Sequence, residues 1–280
     1  MSKTYDALLK AQREQIQRKE KATSSAQKVS PAFPPERAPV RTLTERERLT
    51  SCVVVGSFTA KPDSLMAEQF RKMRSMITTH NLANSLRSLV VTSCMPGEGK
   101  TTVTLNLSSI MAQGLDGSVI LIDADLRRLK LTSLLGLAKA PGLFDLLEER
   151  VSLEEVMVPT EIEGLTLIPA GIRPSNAGEL VGSRRMNGLI QELKGRYRDS
   201  YIIIDSTPII STSEVSALSQ MVDGIIVVIM ADKTRRDLVK RELRTINREK
   251  ILGVVLNCAE FETSDYYGGY YKQYYGKEKD

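Results

Sequence analysis

The segment Ser88–Thr102 constrains the chain more than any other. An apolar run, Ser88–Thr92, passes through Ser93-Cys94-Met95-Pro96-Gly97-Glu98-Gly99 into Lys100-Thr101-Thr102, and then into a helical pattern of Val103, Leu105, Leu107 and Ile110. Strand, glycine-bearing loop, Lys-Thr and helix in this order form the Walker A arrangement. Gly97 and Gly99 let the backbone turn so that N–H groups converge on phosphate oxygens. The helix N-terminus adds partial positive charge. Lys100 reaches the β and γ phosphates, and the Thr101 hydroxyl is placed to ligate Mg²⁺. The expected nucleotide cradle is therefore Pro96, Gly97, Glu98, Gly99, Lys100, Thr101 and Thr102. Cys94 occupies the first glycine position of the motif. A purely structural turn is the bland alternative.

Other apolar runs follow at intervals: Val53–Val55, Ser118–Ile122, Leu165–Pro169, Tyr201–Ile204, Ile225–Ile229 and Ile251–Leu256. Most lack polar alternation, as strands buried on both faces do. The intervening stretches are long enough for helices. This is the pattern of an α/β domain with a doubly wound, mostly parallel sheet.

Two of these runs end in acid. Ile120-Leu121-Ile122 leads to Asp123-Ala124-Asp125-Leu126-Arg127, and Ile202-Ile203-Ile204 leads to Asp205-Ser206-Thr207-Pro208. Ligands of open α/β sheets bind at the carboxyl ends of strands, so all three carboxylates are expected to face the phosphates. Carboxylates suit Mg²⁺, often through water. A third exceeds what the ion needs and is available to accept a proton. Helix N-caps are the alternative reading. Arg127 is expected to pair with Asp123 or Asp125, or to touch phosphate.

Charge is uneven. Residues 1–50 hold 11 Lys+Arg and 6 Asp+Glu, while residues 51–280 hold 28 of each. A neutral core argues against nucleic acid as a partner. Residues 1–50 read as a short basic amphipathic helix (Tyr5, Leu8, Leu9, Ile16) and a Pro/Ser-rich linker, residues 51–262 as the P-loop domain, and residues 263–280 as a flexible tail. Six of the nine tyrosines, Tyr266, Tyr267, Tyr270, Tyr271, Tyr274 and Tyr275, crowd into that tail among glycines. An aromatic patch or sheet edge is the structural alternative. No run approaches the ~18 apolar residues of a membrane span, and the first ten residues lack the apolar stretch of a secretory signal. Cys52, Cys94 and Cys258 are too scattered for a disulfide framework, and the lone His80 is expected to be a surface residue at a helix end.

Taken together, the P-loop, the Asp123-x-Asp125-x-Arg127 and Asp205 strand ends, the tyrosine cluster and an upstream Glu68-x-x-Arg71-x-x-Arg74 resemble the bacterial tyrosine autokinases of capsule and exopolysaccharide synthesis. Gly142–Leu147 and Ala170–Asn176 are similar to that family too, with Ala177 where it usually has proline. The resemblance spans residues 55–280. It implies a P-loop NTPase of the deviant Walker, partition-ATPase-like type. It implies an enzyme using ATP and Mg²⁺, with Lys100, Asp123, Asp125 and Asp205 catalytic. In it Asp123 takes the tyrosine proton, Thr101, Asp125 and Asp205 serve the metal, and the tail tyrosines accept phosphate. Glu68, Arg71 and Arg74 would join subunits into a ring. A membrane-spanning polysaccharide co-polymerase in a separate chain would activate the enzyme and hold it, a cytoplasmic protein, at the inner membrane face. A partition or septum-positioning ATPase is the rival reading, but Met95 stands where those carry a signature lysine. A non-catalytic scaffold that binds an export partner is the third.

Overall fold

The computed structural model describes residues 59–84, 86–114, 118–172, 177–211 and 213–259. Its frame is one seven-stranded sheet: β1 (Ser88–Ser93), β2 (Ser118–Asp123), β3 (Val158–Pro159), β4 (Leu165–Ile168), β5 (Ser200–Asp205), β6 (Gly224–Met230) and β7 (Ile251–Asn257). The order is β3-β4-β2-β5-β1-β6-β7. Every pairing is parallel except β3 with β4. The doubly wound, mostly parallel expectation is met.

Successive residues of a strand face opposite sides, and the two cores follow that alternation. Val90, Ile120, Ile122, Ile202 and Ile204 pack with Met186, Leu189 and Leu193 of the helix Arg184–Arg196 and with Val215 and Leu218 of the helix Glu214–Met221. Leu89, Val91, Val119, Leu121 and Ile203 pack on the other side. There they meet Val103, Leu107 and Ile110 of the helix Lys100–Ala112, and Phe70 and Ile77 of the helix Leu65–Asn84. Central strands covered on both faces need apolar residues at every position, which is why these runs do not alternate.

The order places the site. β5 lies between β1 and β2, with Val91 beside Asp205 and Asp205 beside Asp123. The phosphate-loop strand and both acidic strands therefore end side by side.

Two expectations change. β3 was not expected: two residues, one of them Pro159, are too short to carry a period, and the strand pairs only at the sheet's rim. β7 was read as buried on both faces, yet it is an edge strand whose Val254 and Leu256 are exposed. Composition reports apolarity but not how many neighbours a strand has. The Val53–Val55 run, the residue 1–50 segment, Arg173–Asn176 and the tyrosine cluster lie outside the described residues.

Candidate active site

The phosphate loop leaves β1 and closes with Gly97 at φ 87° and Gly99 at φ 90°. Both lie in the left-handed region, where a Cβ is costly. Gly99 caps the helix Lys100–Ala112 with no side chain on its first-turn N–H groups. Those donors are oriented for an anion. Met95, Pro96 and Gly97 are exposed around the loop, as is Thr102 at the helix start.

Glu98 makes contacts that the motif does not specify. It is buried, and its carboxylate accepts from the Met95 N–H at 2.6 Å, the Met230 N–H at 3.3 Å and the Thr234 hydroxyl. Its side chain thus latches the loop to the end of β6, leaving only its backbone for the cradle. Asn257, at the end of β7, donates to the Glu98 carbonyl at 2.8 Å.

Lys100 sits among carboxylates. Its Nζ lies 2.9 Å from Asp125 Oδ2 and 3.5 Å from Asp205 Oδ1. Burial pulls its pKa down, but Asp205 and Asp125 outweigh burial and raise it. The Thr101 hydroxyl donates to Asp205 Oδ2 at 2.8 Å, and Thr104 donates to Asp205 Oδ1 at 3.2 Å. Burial raises the Asp205 carboxyl despite Lys100 beside it. Asp123 is fully buried; its Oδ2 accepts from the Thr132 N–H at 2.8 Å and hydroxyl at 2.6 Å, and its Oδ1 from the Asp125 N–H at 3.2 Å. Burial first, and Asp205 second, push its pKa up to about 7.

One predicted set is therefore assembled: Lys100, Thr101, Asp123, Asp125 and Asp205 gather at the ends of β1, β2 and β5. Three buried carboxylates face one buried ammonium, so the set carries surplus negative charge, which suits a divalent cation. Among the described residues no three His, Cys, Asp or Glu side chains form a ready-made metal cage. Mg²⁺ does not require one, because it keeps waters and takes substrate phosphate oxygens rather than an all-protein shell.

Arg127 goes elsewhere than expected. Its Nε contacts Glu214 Oε1 at 2.8 Å, and the buried Glu214 accepts from the Thr207 hydroxyl at 3.0 Å. The chain after β2 is thereby tied to the chain after β5. Cys94 is buried, and burial, then Glu98 and Glu242, push its thiol up to about 12. It remains a neutral packing group.

Glu68, Arg71 and Arg74 are apart from this cluster. Arg71 pairs with Glu68 at 3.0 Å, while Arg74 donates to the Ile110 carbonyl at 2.8 Å. That carbonyl closes the far end of the phosphate-loop helix, about 15 Å from Lys100 at 1.5 Å rise per residue. Arg74 thus serves as a cation at a helix C-terminus, a role its spacing alone does not reveal. His80 is exposed near the end of its helix, as expected.

Sequence reasoning missed Thr132, Thr104, Glu214 and the Glu98–Asn257 latch. Thr104 had a signal, since it lies one turn from Thr101 on the same helix face. The others depend on contacts between distant segments.

Residues 87–250 match the AAA domain family. The tyrosine-protein kinase YwqD of Bacillus subtilis is 31% identical over 212 residues, covering 75% of this chain and 88% of that protein. The chain belongs to the bacterial tyrosine-protein kinase family. Among solved structures, the chimerical protein CapA2B2 matches this kinase with a TM-score of 0.66 at 30% identity, covering 72% of this chain and 88% of that one. The tyrosine-protein kinase ptk of Acinetobacter johnsonii is 31% identical over 230 residues, which is 81% of this kinase but 30% of that protein.

If Asp123 is the base of this kinase, it works only when deprotonated. With its pKa near 7, the rate of tyrosine phosphorylation should rise about tenfold between about pH 6 and about pH 8. Thr132→Val removes a donor that favours the charged form, so the midpoint should move to higher pH. Initial rates across this range check both; a flat profile would exclude Asp123 as the base.

Proposed function

We propose that this kinase transfers the γ-phosphoryl group of ATP to its own C-terminal tyrosines, Tyr266, Tyr267, Tyr270, Tyr271, Tyr274 and Tyr275. The observation that carries the reading is the meeting of Lys100, Thr101, Asp123, Asp125 and Asp205 at the mouth of the phosphate loop. The loop amides and Lys100 bind and neutralise the phosphates, which is most of what a loose transition state requires. A tyrosine hydroxyl, with pKa ~10, is a weak nucleophile at neutral pH. Asp123 accepts its proton as the oxygen–phosphorus bond forms and the bond to ADP breaks. Thr132 orients the Asp123 carboxylate. Thr101, Asp125 and Asp205 hold Mg²⁺, which when bound supplies further charge neutralisation and aligns the phosphates.

The physiological reading follows from charge. Each phosphate adds about −1.5 to −2. A tail carrying several is repelled by the carboxylates of any active site it entered, so unmodified tails engage and modified tails release. We place this cycle in the control of capsule or exopolysaccharide synthesis and export. Among the described residues no helix is long and apolar enough to cross a membrane. The matched region is under a third of the Acinetobacter johnsonii relative. In this reading a separate membrane-spanning co-polymerase activates the kinase and holds it at the inner membrane face.

Incubation of the full chain with Mg·ATP followed by anti-phosphotyrosine blotting tests the reaction. Signal that disappears when residues 263–280 are deleted supports it. Steady ATP hydrolysis with no protein label would support a partition-type switch instead.

The ring contact makes its own prediction. Glu68→Ala combined with Arg71→Ala should shift the assembled species to smaller mass in light scattering with little loss of stability, because a half-exposed pair on one helix contributes about 0–1 kcal/mol. An unchanged mass removes these residues from the contact. Arg74→Ala should instead lower stability by about 0.5–2 kcal/mol, by loss of a helix-end cation and its hydrogen bond.

A further inference from the structure

The densest exposed charge of the described residues lies between β6 and β7. Residues 232–250 contain eight basic and four acidic side chains, a net of +4 in a core that is neutral overall. Lys233, Arg235, Arg236, Lys240, Arg241, Arg244 and Arg248 are all exposed. Arg235 pairs with Asp237 and Arg241 with Glu242, while Lys233, Arg236, Lys240, Arg244 and Arg248 have no ion pair among the described residues. Arg236 and Lys240 share one face of the helix Arg236–Glu242, and Lys233 precedes them by a turn.

This stripe begins where the tail begins. Met230 is paired with Asn257, and the Ala231 N–H donates to the Asn257 carbonyl at 2.8 Å. Six residues beyond Asn257 the chain enters the segment 263–280 that carries the tyrosines. Thr234, between Lys233 and Arg235, is hydrogen-bonded to Glu98 of the phosphate loop. Tail root, phosphate loop and the start of the basic stripe therefore meet at one sheet edge, and the stripe runs from there along the crossover toward the start of β7. Six residues lie between Ala259 and Tyr266, and the seven steps from one to the other span at most about 25 Å. The stripe from Arg236 to Arg244 is on the order of 12 Å long at helical rise.

From this we infer that Lys233, Arg236 and Lys240, extended by Arg244 and Arg248, form a receiving surface for the chain's own phosphorylated tyrosine tail. The inference rests on the autophosphorylation reading. It adds where the product goes: a phosphotyrosine repelled by Asp123, Asp125 and Asp205 finds cations at the same edge. Arg can grip phosphate oxygens with two N–H groups, and Lys adds a point charge. A tail held there is withheld from neighbouring active sites.

The test uses the full chain carrying Lys100→Met, so that its own tail stays unmodified. The probe is a fluorescein-labelled synthetic peptide of residues 263–280, either unmodified or phosphorylated on Tyr270 and Tyr271. Because the phosphates are installed chemically, the outcome does not depend on whether the chain phosphorylates itself. Anisotropy should show the phosphopeptide binding at least about tenfold more tightly. That preference should vanish as NaCl rises from about 0.01 to about 1 M, where the Debye length falls from about 30 to about 3 Å. Adding Lys233→Glu, Arg236→Glu and Lys240→Glu should abolish the preference. The milder Lys233→Gln, Arg236→Gln, Lys240→Gln set should weaken it if the first set fails to fold, while Arg184→Glu with Arg198→Glu should leave it intact. Equal binding of the two peptides, or a preference unaffected by the stripe substitutions, would overturn the inference. So would stripe-dependent capture of phosphatidylglycerol vesicles with no preference for the phosphopeptide, since the surface would then be a lipid contact.

Discussion

Lys100→Met should abolish tyrosine phosphorylation, lowering the initial rate by about a thousandfold or more. The ammonium is the sole cation within 4 Å of Asp125 and Asp205 among the described residues. Its loss removes the charge that offsets the phosphates and leaves two buried carboxylates uncompensated. The second effect makes a stability prediction that the catalytic one does not. Removing one partner of a buried charge cluster costs on the order of 3–5 kcal/mol. Without Lys100, Asp205 loses the charge that opposes the effect of burial, so it binds a proton more readily in the folded state. The penalty is therefore full at alkaline pH, where Asp205 must stay ionised, and shrinks as falling pH protonates it. Thermal melting of the variant at about pH 8 and about pH 5, each against the wild-type chain, checks the sign. A deficit that grows on acidification would show that Lys100 is not the counter-ion of this cluster.

Asp123→Asn should have the second largest effect, a loss of about a hundred- to ten-thousandfold in transfer, with nucleotide affinity changed by less than about threefold. Asp123 stands apart from the cradle: its oxygens are held by Thr132 and the Asp125 N–H, while Lys100 is engaged by Asp125 and Asp205. Removing the base leaves the phosphate donors and Lys100 in place. Residual activity should also lose the rise through pH 7. Calorimetric titration with Mg·ATP, beside initial rates, separates the roles. Equal losses of binding and transfer would assign Asp123 to the metal instead.

What could be read in advance was what lay close together along the chain. The phosphate loop was legible because glycines, Lys100 and Thr101 sit within five residues. Their chemistry needs no other segment to be recognised. Six apolar runs became strands; β1, β2, β5 and β6 are apolar because central parallel strands covered on both sides must be, while β7 is apolar although it lies at the edge. That Asp123 and Asp205 stand side by side was only an expectation, because it depends on β5 inserting between β1 and β2. Arg127 offered no way to choose its partner: Glu214 is 87 residues away and reached through the fold alone. The Glu98 latch was hidden for the same reason, since Asn257 and Thr234 arrive from the last two strands. Arg74 shows the converse limit, because a spacing of three predicts a shared face but not whether that face meets a neighbour or the chain's own helix end.

The most direct test is to incubate the purified full chain with Mg·ATP and map every phosphate by mass spectrometry. Phosphate confined mainly to Tyr266, Tyr267, Tyr270, Tyr271, Tyr274 and Tyr275, absent from the Lys100→Met chain treated alike, is the predicted result. ATP consumed with those six tyrosines unmodified would contradict it.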